Sequence, residues 1–224
     1  MAGRIAYYGN IVTDGLILDL DAAKKDSYPG SGNTWRDISG NGNNGTLTND
    51  PTYDSANGGS IVFDGTNDYI NCGNNSSVQI TVGSINAWFK GNQQGGDYNG
   101  IVVKQSSWGI FMFQNNLYVY DWGNAIGRNT SVSVSDNIWR NVCLTFSETI
   151  GTPSNNAIVY INGSSILTTT VKNEAQNQPL LIGYGNSGAQ YLRGSISNTQ
   201  IYNRVLSSQE VLQNYNAQKG RFGL

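Results

Sequence analysis

From residue 60 onward, short runs rich in β-branched and aromatic residues alternate with turn signals, and this pattern constrains the fold more than any other feature. Several of the breaks, such as Asp64-Gly65 and Asn162-Gly163, are typical of hairpin turns. Short strands at this spacing predict an all-β fold in which two antiparallel sheets pack as a sandwich. The predicted strands are 60–63, 69–72, 80–90, 101–104, 108–113, 117–122, 139–146, 157–161, 165–169, 180–183 and 191–202.

One short helix is predicted near the C-terminus. Ser207 and Glu210 stand three residues apart, which is the sequence signature of a capping box at a helix N-terminus. Val211, Leu212 and Tyr215 follow and are predicted to form one apolar face, in a helix that runs to about Ala217.

The N-terminal quarter of the chain divides into an arm, a strand and a loop. Residues 1–14 are predicted to be an arm that extends from the domain. The run 16–21 alternates, so that its three leucines face one way while Ile17, Asp19 and Asp21 face the other. The stretch 24–59 is dense in glycine and asparagine and predicts a long ordered loop anchored by Trp35 and Ile38.

These elements predict three segments along the chain. Residues 1–14 form the N-terminal arm, residues 15–217 form one domain, and residues 218–224 form a C-terminal tail. All-β domains of this length are common as single units.

The composition excludes several classes of function. The chain contains no histidine, which removes Ser-His-Asp and Cys-His catalysis and imidazole metal ligands. A formal net charge of −2 gives no basic surface for nucleic acid, and the sequence lacks an apolar run long enough for a membrane helix. We therefore expect no nucleic-acid partner, no membrane insertion and synthesis in a cytoplasm, where Cys72 and Cys143 would stay free.

An ordered set of motifs resembles a known superfamily. The stretches 59–70, 85–90, 139–146, 159–163, 181–183 and 194–207 together resemble the laminin-G-like / concanavalin A-like lectin–glucanase superfamily. This resemblance implies a two-sheet antiparallel jelly-roll sandwich over residues 15–217, with one short C-terminal helix.

The two ends of the chain carry a narrower resemblance. Segments 10–16, 27–32, 35–41 and 214–224 are similar to virion proteins of tailed phages. The resemblance implies a non-enzymatic protein of the virion surface, as a head decoration, head fibre or tail fibre component, made in the host cytoplasm. Its partners would be other virion proteins, or further copies of itself in a homo-oligomer or particle. The alternative is a carbohydrate-binding receptor module that recognises host surface glycans.

Alternating aromatic residues predict a surface for sugars. Sugars stack on exposed aromatic rings, and three rings on one side of a predicted strand would give them a platform. The remaining interpretation is that these rings fill the sandwich core or a subunit interface. The predicted carbohydrate-binding residues are Tyr118, Tyr120 and Trp122, with Tyr98, Trp108 and Asn124 nearby.

A calcium site is the one cofactor site that the sequence suggests. Asp64, Asn67 and Asp68 supply oxygen atoms of the kind that Ca²⁺ accepts. The competing interpretation is a turn in which these side chains bond their own backbone.

Catalytic carboxylates are scarce. Glycosidases need two carboxyl groups roughly 5–9.5 Å apart, and the three glutamates Glu148, Glu174 and Glu210 are far apart in sequence. Asp19 and Asp21 would lie roughly 7 Å apart on one face of a strand, and a solvated or hydrogen-bonded sheet edge is the simpler interpretation. The sequence therefore predicts that the protein is not an enzyme.

Overall fold

A computed structural model describes residues 9–93, 96–147, 155–172 and 176–224. Sixteen strands and one α-helix follow one another along these residues. The strands are β1 (Leu16–Asp21), β2 (Thr34–Trp35), β3 (Gly45–Thr48), β4 (Thr52–Asp54), β5 (Ser60–Asp64), β6 (Tyr69–Asn71), β7 (Val82–Gly91), β8 (Asn99–Lys104), β9 (Trp108–Phe113), β10 (Asn116–Asp121), β11 (Ile126–Ser133), β12 (Arg140–Ser147), β13 (Ala157–Ile161), β14 (Ser164–Thr169), β15 (Leu180–Ile182) and β16 (Arg193–Tyr202). The helix is α1 (Ser208–Gln218).

The strands form two antiparallel sheets that pack as a sandwich, as predicted. The first sheet has the order β14-β13-β12-β7-β16-β5-β4, and β1 pairs with the second half of β16. The second sheet has the order β11-β10-β9-β8-β15-β6-β3-β2. One hydrophobic cluster fills the space between them.

Strict alternation sends side chains into or out of this core. On β12, Val142 and Leu144 lie in the core, whereas Cys143 points to the outer face and joins a second cluster there. Both cysteines are buried and free, and burial raises the pKa of each thiol. A buried thiol of this kind behaves as a small apolar side chain.

The N-terminal region departs from the prediction in two ways. A bulge in the pairing of β1 with β16 places Leu16 outside the core and Ile17 in it together with Leu18, so the predicted faces are wrong at Leu16 and Ile17. The stretch 24–59 contains three short strands rather than only loop, with Trp35 fully buried and Ile38 partly buried.

The C-terminal helix begins with the predicted capping box. Glu210 N donates to Ser207 Oγ (3.3 Å), and Ser207 N donates to Glu210 Oε2 (2.8 Å). The buried side of the helix carries Val211 and Asn214, whereas Leu212 is exposed, so the predicted apolar face is wrong at Leu212.

Both ends of the described chain pack against the outer face of the first sheet. Val12 N donates to Asn214 Oδ1 (2.8 Å), and Tyr202 Oη donates to Val12 O (3.0 Å). The Phe222 ring stacks on Trp88, with ring centroids 4.1 Å apart. The predicted arm therefore does not project at Val12, and the tail is packed; residues 1–8 of the arm lie outside the described residues. Within the described residues, no helix has the length and apolarity that crossing a membrane requires.

Candidate functional site

The outer face of the second sheet carries a cluster of aromatic side chains that is separate from the sandwich core. It arises because β9 and β10 send their aliphatic residues inward, which turns the intervening aromatic residues outward. Buried members from β8, β9 and β10 form its base, and four more rings pack on them. The aromatic cluster consists of Val103, Phe111 and Tyr118, with Tyr98, Phe113, Tyr120 and Trp122 partly buried against them.

Tyr98 is the centre of this cluster. Its ring stacks on Phe113 with centroids 4.1 Å apart, and it makes edge contacts with Tyr118 and Tyr120 at 5.7 Å each. Tyr120 in turn contacts Trp122 at 4.9 Å. Ring pairs in these geometries stabilise one another beyond their buried area, so the rings hold a defined arrangement.

A glycine on the neighbouring strand makes room for the central ring. Gly127 lies on β11, and a Cβ there would collide with the Tyr98 hydroxyl. Burial raises the pKa of Tyr98, so its hydroxyl stays protonated at neutral pH and can donate a hydrogen bond.

Four of the rings border a cavity of about 390 Å³. These are Tyr98, Phe111, Tyr120 and Trp122. The same cavity is lined by the neutral polar side chains Gln105, Ser187 and Gln190, and none of the described residues that line it is charged. A cavity of this size that combines aromatic rings with neutral polar groups is suited to a small neutral ligand.

The position of Trp122 is fixed by a buried carboxylate. Asp121 accepts from Arg128 Nη2 (2.7 Å), from Asn124 Nδ2 (2.8 Å) and from Lys172 N (3.2 Å). These bonds hold the end of β10 and the turn at Trp122–Asn124, and they keep the Asp121 charge paired rather than facing the cavity.

The structure brings together most of the predicted carbohydrate-binding residues. Tyr98, Tyr120 and Trp122 line the cavity, and Tyr118 lies beneath them, almost fully buried. Asn124 is exposed beside Trp122, with its amide bonded to Asp121.

Trp108 is the exception, and its prediction is wrong. Its ring is fully buried in the core between the sheets, near Phe146. Trp108 shares its face of β9 with Ile110 and Met112, both of which lie in the core. The alternation of residues along this strand already indicates that Trp108 points inward.

Sequence reasoning missed six residues that line the cavity, namely Gln105, Phe111, Ala125, Gly185, Ser187 and Gln190. Phe111 could have been found, because it alternates with the inward Ile110 and Met112 on β9. Gln105, Ser187 and Gln190 lie in loops and carry no local signal.

The residues predicted to bind calcium are bonded within their own turn. Asp64 Oδ1 accepts from Thr66 N (2.7 Å) and Asn67 N (3.4 Å), and these bonds lower the pKa of Asp64. Asp68 Oδ2 accepts from Asp64 N (3.1 Å), while burial raises the pKa of Asp68. Among the described residues, no group of three or more Cys, Asp or Glu side chains is arranged to hold a metal. Calcium binding here stays a prediction. The observed geometry is that of a turn in which the two aspartates bond to backbone N–H groups of the same turn.

The alternating pair Asp19 and Asp21 is buried on the outer face of the first sheet. Asp19 accepts from Gln200 Nε2 (3.0 Å) and from Lys24 Nζ (3.4 Å), and burial raises the pKa of Asp19. Asp21 accepts from Arg221 Nη1 (3.0 Å). Both carboxylates line a cavity of about 640 Å³, but each is engaged by a cation, as in a hydrogen-bonded sheet edge.

The three glutamates show no catalytic pair in the described part of the chain. Glu210 is held by the capping box and by Arg204 Nη2 (2.6 Å), and these contacts lower its pKa to about 2. Glu148 and Glu174 lie outside the described residues.

The fold and the aromatic cavity define a lectin-like β-sandwich. A family model described as the concanavalin A-like lectin/glucanases superfamily matches residues 64–212, which is well over half of the chain. The chain therefore belongs to this superfamily. No curated protein sequence matches the chain.

Solved structures share the fold at low sequence identity. The binding domain of Paraclostridial mosquitocidal protein 1 superposes with a TM-score of 0.70 at 20% identity, covering 92% of this chain and 52% of that one. Domain 4 of AbnA, a GH43 extracellular arabinanase from Geobacillus stearothermophilus in complex with arabinotriose, superposes with a TM-score of 0.67 at 17% identity, covering 89% of this chain and 98% of that one. Trypanosoma rangeli sialidase in complex with sialic acid superposes with a TM-score of 0.67 at 15% identity, covering 92% of this chain and 33% of that one. The chain thus spans about half the length of the toxin binding domain, and at these identities the likeness shows the fold alone.

Proposed function

We propose that the protein is a non-enzymatic carbohydrate-binding module whose binding site is the aromatic cavity on the second sheet. One observation carries this proposal: Tyr98, Tyr120 and Trp122 line a cavity together with the neutral amides Gln105 and Gln190. Aromatic faces bind the C–H surfaces of sugar rings, and amides bind their hydroxyl groups. The cavity therefore offers both kinds of contact that a neutral sugar needs.

The structural neighbours support this proposal. The arabinanase domain is nearly the same size as this chain and was solved in complex with arabinotriose. The mosquitocidal protein domain and the botulinum neurotoxin C/D domain are a binding domain and a receptor binding domain. A fold that serves binding in these proteins is a suitable scaffold for binding here.

The non-enzymatic part of the proposal rests on the position of the acids. No described residue that lines the aromatic cavity is an Asp or a Glu, whereas glycoside hydrolysis needs two carboxyl groups across the scissile bond. Asp19 and Asp21 are on the other sheet, in ion pairs with Lys24 and Arg221.

The setting that we propose is the surface of a phage virion, as a head decoration, head fibre or tail fibre component. The segments that resemble virion proteins come from both ends of the chain, yet they meet in one place. Val12 N donates to Asn214 Oδ1 (2.8 Å). Asn41 Nδ2 donates to Leu16 O (3.3 Å), and Ser27 Oγ donates to Arg36 O (2.6 Å). These segments lie outside the family match at 64–212. We propose that they contact other virion proteins or further copies of this chain. Immunogold labelling of particles would test this location.

Binding of oligosaccharides to matched tyrosine variants tests the carbohydrate proposal. Tyr120→Ala removes a cavity ring, whereas Tyr53→Ala removes a partly buried ring that contacts Tyr28 elsewhere in the fold. On a glycan array followed by calorimetry, Tyr120→Ala should lower affinity by about tenfold, and Tyr53→Ala should bind like the wild type. Equal binding by the wild type and Tyr120→Ala would contradict the proposal.

A further inference from the structure

The side-chain amides of Gln105 and Gln190 line the aromatic cavity. Each amide is fixed by a residue that does not line the cavity, through only one of its two polar atoms. Gln105 Oε1 accepts from Asn186 Nδ2 at 3.0 Å. The same Asn186 nitrogen donates to Gln178 Oε1 at 3.2 Å, and the backbone carbonyl of Gln178 accepts from the buried Lys104. Within the described residues, Gln105 Nε2 has no partner. The N–H groups of the Gln105 amide are therefore free to donate.

Gln190 is held in the opposite sense. Its Nε2 donates to Asp97 Oδ1 (3.2 Å), and that carboxylate is itself oriented by Tyr98 N (2.7 Å). Gln190 Oε1 has no partner within the described residues. It lies over Gly185, where a Cβ would collide with it. The free half of this amide is an acceptor.

We infer that the cavity recognises a neutral sugar that presents both a hydrogen-bond acceptor, to which Gln105 donates, and a hydrogen-bond donor, from which Gln190 accepts. This inference rests on the proposed function and adds its specificity. Ring stacking tolerates many sugars, so the directional groups decide among them. The matching ligand groups are hydroxyl groups, which both donate and accept, or an acetamido group, whose N–H donates and whose carbonyl accepts.

The charge of the cavity indicates a neutral ligand. None of the described lining residues is a cation that could pair with an acidic sugar. Asp97, which holds Gln190 from behind, would repel a carboxylate placed against that amide. Arabinotriose and N,N′,N″-triacetylchitotriose are therefore suitable probes. The first carries hydroxyl groups only, and the second also carries acetamido groups. Sialyllactose is the acidic counterpart.

Calorimetry on three glutamine variants tests the assignment. Gln105→Glu keeps an oxygen that can accept from Asn186 but removes the free donor. Gln190→Glu keeps an acceptor toward the cavity; it is made together with Asp97→Asn, because two carboxylates at this position would repel each other and an asparagine amide can donate to the new carboxylate. Gln209→Glu makes the same change of charge as Gln105→Glu on an exposed position of α1, on the other sheet.

The expected result is an unequal loss of affinity for whichever neutral trisaccharide binds the wild type. Gln105→Glu should lose about tenfold or more, Gln190→Glu about threefold, and Gln209→Glu nothing. Thermal melting of each variant shows that it is folded.

Three results would overturn the inference. They are an equal loss in Gln105→Glu and Gln190→Glu, unchanged binding by Gln105→Glu, and tighter binding of sialyllactose than of both neutral probes. Different results would show that the proposed function itself is wrong. In that case Tyr120→Ala binds as the wild type does, or the wild type binds no saccharide. Either result rejects both the carbohydrate-binding function and the specificity inferred here.

Discussion

The outer faces of the two sheets both carry aromatic rings but use them differently. On the first sheet, Trp88 is fully buried because Tyr215 and Phe222 stack against it, at 5.7 Å and 4.1 Å between ring centroids. On the second sheet, Tyr120 and Trp122 stay partly exposed beside a cavity. The single α-helix of the described residues lies on the first sheet. One face is thus covered by the chain itself, whereas the other leaves aromatic rings exposed beside a cavity.

The polar residues follow the same division. Under the helix and tail, a chain of buried amides crosses four strands, from Asn141 Nδ2 to Asn86 Oδ1 (3.0 Å) and from Asn86 Nδ2 to Gln200 Oε1 (2.8 Å), ending on Asp19. Beside the aromatic cavity, Gln105 and Gln190 each keep one half of the amide free. The amides of the first sheet bond to one another under a covering layer, where Asn141 Oδ1 is buried without a partner. The free halves of Gln105 and Gln190 instead border a cavity, where they are available for binding.

The largest expected effect is the loss of stability in Trp88→Ala. Its ring lies between the sheet and the C-terminal rings, so its removal leaves a large gap that the surrounding backbone cannot fill. We expect a fall of about 3–5 kcal/mol in the free energy of unfolding, measured by urea titration. Trp122→Ala should cost less than about 1 kcal/mol. If both variants lose the same stability, the two faces do not differ as described.

The next effect concerns pH and the second sheet. Lys104 is fully buried, and burial lowers its pKa from 10.5 to about 8. Because the folded pKa lies below the unfolded one, the charged lysine opposes folding below pH 8. That cost, about 3 kcal/mol in order of magnitude, is relieved as the pH rises from about 8 toward 10.5.

Urea unfolding at pH 7, 8, 9 and 10 measures this effect. Stability should rise over that range in the wild type and should rise less in Lys104→Met, which removes the amine but keeps the length of the side chain. The same pH profile in both proteins would contradict the burial cost of Lys104.

A smaller effect is expected where the tail closes the first sheet. Arg221 binds Asp21 Oδ1 (3.0 Å) and donates to Ser197 Oγ (2.7 Å), and Asp21 is buried. Arg221→Ala should cost about 2 kcal/mol, since it leaves a buried carboxylate with the backbone N–H of Ala23 and a more distant cation, Lys24, as its partners. Asp14→Ala is the matched control, because Asp14 is highly exposed in its pair with Arg204 and should cost less than about 1 kcal/mol. Equal losses would show that the tail adds little to the first sheet.

The sequence predicted the strands whose burial follows a strong alternation and missed those formed by pairing alone. The runs at β9, β12 and β13 are found nearly to the residue, because their inward side chains are aliphatic or aromatic. The strand β11 reads Ile-Gly-Arg-Asn-Thr-Ser-Val-Ser, has only one buried residue, Thr130, and exists because β10 pairs with it. Edge strands of this kind carry no periodic signal.

The candidate site divides in the same way. Tyr118, Tyr120 and Trp122 were predictable because they alternate along the predicted strand 117–122, although Trp122 lies just after the end of β10 in the structure. The amides were not, because Gln105 and Gln190 lie far apart in sequence and come together only through the pairing of β8 with β15. Local pattern predicts which face a side chain takes, but contacts between distant loops depend on the sheet order.

The most direct test of the account is the affinity of two tryptophan variants for the neutral trisaccharide that binds the wild type. Trp122 borders the aromatic cavity, and Trp139 is a partly buried ring on the other sheet, in contact with Phe222 at 4.8 Å. Calorimetry should show that Trp122→Ala loses affinity by about tenfold or more while Trp139→Ala keeps the affinity of the wild type. Loss of binding in Trp139→Ala together with full binding in Trp122→Ala would place the ligand on the face that the chain itself covers and would contradict the account.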